Sequence, residues 1–188
     1  LDENSYLKIV NLQDKGIAVS LSQGTMNLTI LKYDKDKSYF EIDAPKTTIA
    51  IQKEGKYRID AGDEDNKEVR VIVSKYGQAR VYSDDSGFVL KNGRSAKLSL
   101  EGSYAGEWET SRNASYGDDF DRWTAERDDL VERNLRNAHY NKYYDDDIYG
   151  ADDLNDNGSW VYSRDYGYVW KPYNGSTRRY RDWSPYRY

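Results

Sequence analysis

The chain has 188 residues, a net charge of −5, five Trp, 19 Tyr and no cysteine. Its length suits one domain or two modest ones. The missing thiols exclude disulfides and thiolate chemistry, and the negative charge argues against duplex nucleic acid as a partner. No apolar run approaches the ~20 residues of a membrane-spanning helix, so no transmembrane segment is expected.

The two halves differ in kind. Residues 1–103 balance 16 basic against 16 acidic side chains and hold eight aromatics, whereas residues 104–188 hold all five Trp and 13 of the 19 Tyr. The basic residues also change from mostly Lys to mostly Arg, the cation that stacks on rings and forks onto carboxylates. A boundary near Ser103–Gly117 follows, with 1–103 as a β domain and 104–117 as a linker.

In chain order, the first hundred residues alternate as strands do. Ile17, Val19 and Leu21 share one face, as do Met26, Leu28 and Ile30, Phe40 and Ile42, Ile49 and Ile51, and Val69, Val71 and Val73. Turn signals separate them, four of them centred on Gly24, Gly55, Gly77 and Gly93. Short strands at this spacing predict a mainly β fold, a sandwich or a short solenoid. The spacing of Phe120, Trp123, Arg127, Leu130, Val131, Leu135 and Ala138 then predicts one connecting helix over about 119–138, within a segment 118–139. Acidic residues crowd its first turn, and Asp118–Arg122, Asp129–Arg133 and Glu132–Arg136 have the spacing of i,i+4 ion pairs. Residues 140–157 are an acidic irregular segment. Residues 158–188 return to short β-like runs and read as a small Tyr/Trp-rich module.

Three constellations could carry chemistry. Asp153, Asn155 and Asn157, followed by Gly158, match the opening of a calcium loop, with oxygen ligands at positions one, three and five. The twelfth position, where a bidentate Glu belongs, is Arg164; a solvated acidic turn is the simpler reading, and no other cofactor is expected. The single histidine, His139, falls at the end of the predicted helix, where it would serve the dipole better than catalysis. Carboxylates fall in runs and i,i+4 pairs rather than in an assembled acid–base pair, so no catalytic residue is assigned. The tail interleaves cations with rings in Arg178-Arg179-Tyr180-Arg181-Asp182-Trp183. Residues 157–188 carry six basic against two acidic side chains, and 118–156 carry five against thirteen. That asymmetry suits packing within the chain or against another copy better than it suits a nucleic acid.

The β segment resembles FecR-like domains, a bacterial envelope family. The resemblance rests on Val19-Ser20-Leu21-Ser22-Gln23-Gly24-Thr25-Met26, Phe40-Glu41-Ile42-Asp43-Ala44-Pro45 and Glu54-Gly55-Lys56-Tyr57-Arg58-Ile59-Asp60. Val71 to Ala79 and Leu90 to Ala96 extend it. The remainder resembles the accessory region of a FecR-related family of unknown function. Its marks are Asp119-Phe120-Asp121-Arg122-Trp123, Asp152-Asp153-Leu154, Gly158-Ser159-Trp160, Tyr166-Gly167-Tyr168-Val169-Trp170-Lys171-Pro172 and Trp183-Ser184-Pro185-Tyr186-Arg187, in that order. Against this family the chain opens partway through the β domain and stops short of further Gly- and Trp-rich sequence.

The resemblance implies a secreted or periplasmic, all-β envelope protein without catalytic residues. Tyr166, Tyr168, Trp170, Trp183, Tyr186 and Arg187 are the expected contact residues, for a protein partner, an identical copy or cell-surface polysaccharide. A periplasmic sensory module of a FecR-type signalling system is the first alternative. A glycan-active enzyme with two carboxylates flanking a ring-lined groove is the second.

Overall fold

The computed structural model describes residues 1–84, 86–112, 117–137, 154 and 157–173, with side chains described to Arg133 in the helix. The chain forms two compact units, Leu1–Thr124 and Ala125–Tyr188. It is mainly β, as its alternating pattern predicts.

The first unit is a sandwich of two sheets. One holds β1 (Tyr6–Gln13), β2 (Gly16–Gln23), β4 (Tyr39–Ala44), β5 (Thr47–Ile51), β8 (Gln78–Ser83) and β9 (Gly87–Lys91), in the order β1-β2-β4-β5-β8-β9. The other holds β3 (Thr25–Ile30), β6 (Gly55–Asp60), β7 (Glu68–Ser74), β10 (Arg94–Ser99) and β11 (Trp108–Ser111), in the order β11-β10-β7-β6-β3. Successive hairpins therefore alternate between the sheets: β4–β5, then β6–β7, then β8–β9, then β10–β11. All neighbours are antiparallel except β2 and β4.

This topology gathers the connections at two ends. At the lower end lie the links β1–β2, β3–β4, β5–β6, β7–β8 and β9–β10; at the upper end lie β2–β3, β4–β5, β6–β7, β8–β9 and β10–β11. At each end a backbone bond carries a strand ladder into the links. At the lower end the Gln52 N–H donates to Gln78 O (2.8 Å); at the upper end the Ala61 N–H donates to Gly24 O (2.8 Å). The links β5–β6 and β7–β8 also touch. A Cβ on Gly55 (φ +150°) would stand 2.5 Å from the Gly77 backbone, so only glycine fits there.

The alternating residues meet between the sheets. Leu21, Ile42, Ile49 and Val81 from one, with Tyr57, Ile59, Val69, Val71, Val73 and Leu98 from the other, are almost wholly buried in one cluster. Each contributes roughly 1.5–3 kcal/mol by leaving water. Tyr57 brings its hydroxyl inside, where it donates to Lys53 O (2.5 Å) and accepts from the Gln78 N–H (3.0 Å). Burial raises that phenol's pKa.

Two elements depart from the sequence reading. β1 is hidden in the sequence because Ile9-Val10 breaks the alternation. A register shift between Ile9 and Asn11 restores it, setting Leu7, Ile9 and Leu12 opposite Leu21, Val19 and Ile17. The stretch read as a linker, 104–117, carries β11, which pairs with β10. Trp108 holds it down: its ring meets Phe88 edge to face at 5.2 Å, and its Nε1–H donates to Ser83 Oγ (3.1 Å).

The helix α1 (Asp119–Asn137) forms where its periodicity places it. In the second unit, β12 (Gly158–Ser163) and β13 (Gly167–Pro172) pair antiparallel as a hairpin. His139, most of 140–157 and the tail beyond Tyr173 lie outside the described residues.

Candidate functional site

The hairpin is built from the motifs Gly-x-Trp and Tyr-Gly-x-Val-Trp. Its register sets Trp160 opposite Trp170, Val161 opposite Val169 and Tyr162 opposite Tyr168. Period-two geometry therefore puts four rings on one face. Tyr162 and Tyr168 meet edge to face, centroids 5.4 Å apart at 72°, the arrangement that ring quadrupoles favour. They remain 69% and 50% exposed, and Tyr166 at the tip is 81% exposed. Trp170 is anchored from below. Its Nε1–H donates to Leu154 O (2.9 Å), and a Cβ on Gly158 would stand 2.4 Å from its ring.

Of the expected contact residues, the structure brings Tyr168 and Trp170 onto one face and leaves Tyr166 at the turn. Trp183, Tyr186 and Arg187 lie outside the described residues. Trp160 and Tyr162 complete the ring face and were not among those expected, although their equal distance from the Ser163–Gly167 turn is a signal the sequence carries. Of the calcium-loop residues, Asp153 and Asn155 lie outside the described set and Asn157 is exposed just before β12. Gly158, expected to turn the loop, instead opens a strand beneath the Trp170 ring. Among the described residues no group of three potential metal ligands occurs.

A second concentration of chemistry lies in the first unit, on the outer face of the β3–β6–β7 sheet. Arg58 alternates with the core residues Tyr57 and Ile59, so its side chain points away from the core, yet it is only 7% exposed. Its guanidinium forks onto Asp118 (Nη1–Oδ1 2.9 Å, Nη2–Oδ2 2.7 Å) and also reaches Asp121 (2.8 Å) and Asp60 (2.8 Å). Phe120 lies beneath it, ring centroid 5.8 Å from the guanidinium carbon. Asp118 meanwhile caps α1 by accepting from the Asp121 N–H (2.8 Å). Asn27 of β3 donates to Thr124 Oγ1 (2.8 Å). The first turn of α1 is thus latched to the sheet. The sequence spacing paired Asp118 with Arg122; here Asp118 binds Arg58, while Arg122 pairs with the Asp119 carboxylate.

Electrostatics follow from this geometry. The hydrogen bonds from Arg58 hold the Asp118 carboxyl below the usual carboxylate range. Burial pushes Asp121 upward, but the bonds from Arg58 and the Gly117 N–H outweigh it and leave its pKa lowered. Burial likewise works against the charge on Arg58, and its three carboxylates more than restore it. Two closely set carboxylates that both stay ionised cannot supply the proton of a general acid near neutral pH. The cluster is suited to holding the first turn of α1 against the sheet.

No family model and no curated relative matches the sequence. Two crystal structures of a candidate anti-sigma factor from Parabacteroides distasonis are similar to the chain, at 13% and 14% identity and a TM-score of 0.48 each. The alignments cover 57% and 58% of this chain and 47% and 49% of theirs, so the chain spans about half the length of those structures.

Proposed function

We propose that this is a non-enzymatic protein of the bacterial envelope or extracellular space, a FecR-like β scaffold that presents the β12–β13 ring face as a contact surface. The observation that carries the reading is the pair Tyr162–Tyr168, ordered by strand register yet largely exposed. Pre-ordered rings with polar tips bind at low entropic cost, which is why Tyr and Trp dominate contact hot spots. The absence of cysteine suits an oxidising compartment, and the FecR-like motifs point the same way. The partner is a protein subunit or a surface polysaccharide, both of which offer apolar patches that stack on rings.

The test is a Tyr162→Ala, Tyr168→Ala double variant. Neither residue is buried, so its unfolding midpoint should stay near that of the parent. Retention on isolated envelope polysaccharide, or on envelope protein after the polysaccharide has been digested, should fall at least tenfold, and the fraction that loses retention identifies the partner class. Unchanged retention on both fractions would remove the ring face from the function.

A further inference from the structure

The two ends of the sandwich carry opposite charge. At the lower end the β3–β4 link holds Lys32, Lys35 and Lys37 against Asp34 and Asp36. Lys53, Lys75 and Lys91 add to it from the other links and strand ends, all exposed, and Glu54 opposes them. At the upper end the β6–β7 link reads Asp63-Glu64-Asp65, with Glu101 and Glu107 in the β10–β11 link and Glu3 before β1, against Lys46 and Lys67. Sequence order does not show this segregation, because residues 1–103 balance overall. Only the alternating-hairpin topology sorts the links by sign.

The ends cannot neutralise each other within one molecule. Strands of six residues hold them roughly 20 Å apart, beyond the screening length of about 10 Å at 0.1 M salt. Lys75 and Tyr76 both adopt left-handed φ values of 42° and 67° at the β7–β8 turn, a conformation that favours Gly and Asn. This strained turn leaves Tyr76 80% exposed among the lysines, and Tyr104 stands 68% exposed at the acidic end. A strained turn that holds an aromatic ring in solvent points to a use for that tip.

We propose that the sandwich associates with a second copy of itself head to tail, the lysine-rich end of one meeting the acidic end of the next. The surfaces differ, so the contact is heterologous and each added copy leaves a fresh end exposed. This uses the first unit alone and stands apart from the ring-face reading above.

Sedimentation velocity of the full chain tests it. In about 0.02 M NaCl the weight-average sedimentation coefficient should climb with concentration past that of a dimer, and about 0.5 M NaCl should weaken association at least tenfold. A lower-end variant (Lys35→Glu, Lys53→Glu, Lys91→Glu) and an upper-end variant (Glu64→Lys, Asp65→Lys, Glu101→Lys) should each remain monomeric. Mixed in equal amounts they should assemble, because one then has two acidic ends and the other two basic ends; that rescue also shows both to be folded. The Tyr162→Ala, Tyr168→Ala variant should associate like the parent, which separates this contact from the ring face. A parent that stays monomeric at low salt, or variants that fail to complement each other, would overturn the proposal. So would a lower end that binds polyphosphate in a parent showing no self-association.

Discussion

The sandwich and the hairpin solve opposite problems with the same period-two pattern. In the first unit alternation drives branched aliphatics such as Ile42, Ile49 and Val71 inward until no surface is left. In the hairpin it gathers Trp160, Tyr162, Tyr168 and Trp170 on one face and leaves the tyrosines in solvent. A ring-rich segment therefore need not be a core. Two strands with four rings are held by cross-strand contact and keep Tyr162 and Tyr168 at the surface, whereas the sandwich withdraws its apolar residues from water.

Substitutions can sharpen or break that contrast. The largest effect is expected at the latch. Arg58→Met keeps the bulk but leaves Asp118 and Asp121 without their cation, and should cost about 3–5 kcal/mol in urea unfolding. An unchanged midpoint would mean that the first turn of α1 needs no latch. Acid should weaken the same site. The folded pKa values of Asp118 and Asp121 lie below the unfolded value near 3.9, so their contribution is complete above that pH. It is lost as pH falls through the depressed folded values, and an acid titration of parent against Arg58→Met should converge below about pH 4. In the hairpin, Gly158→Ala pushes a methyl into the Trp170 ring and should cost about 1–3 kcal/mol. Partial loss of the tryptophan near-UV dichroism, with the Trp108 contribution and the sandwich's transition intact, is the signature. The smallest effect is a gain. Lys46 occupies a left-handed φ of 55° in the two-residue β4–β5 turn, and Lys46→Gly should stabilise by about 0.5–1 kcal/mol in the same urea experiment.

What was legible in the sequence depends on how far each signal reaches. β2, β3, β5 and β7 show because their apolar residues alternate without interruption, and α1 shows because its spacing is local. β1 is concealed by its bulge. β11 is concealed because four edge residues with a single large apolar side chain, Trp108, carry no period. The partner of Asp118 could not be read from spacing: Arg58 lies 60 residues away, and the i,i+4 rule points to Arg122 instead. The hairpin motifs located Tyr168 and Trp170, while Trp160 and Tyr162 show only when their spacing is counted from the Ser163–Gly167 turn. The charge segregation is the least legible feature, since it exists only after the hairpins are distributed between the sheets.

The lone parallel pairing, β2 against β4, marks where the sandwich gives way. Parallel pairing is slightly weaker per residue. It is the seam by which the β1–β2 hairpin, at the edge of its sheet and with β1 largely exposed, joins the other strands of that sheet. Amide exchange should reveal this as a cooperative opening of Tyr6–Gln23 at lower free energy than the β4–β10 body, the sandwich's own weakest fold line.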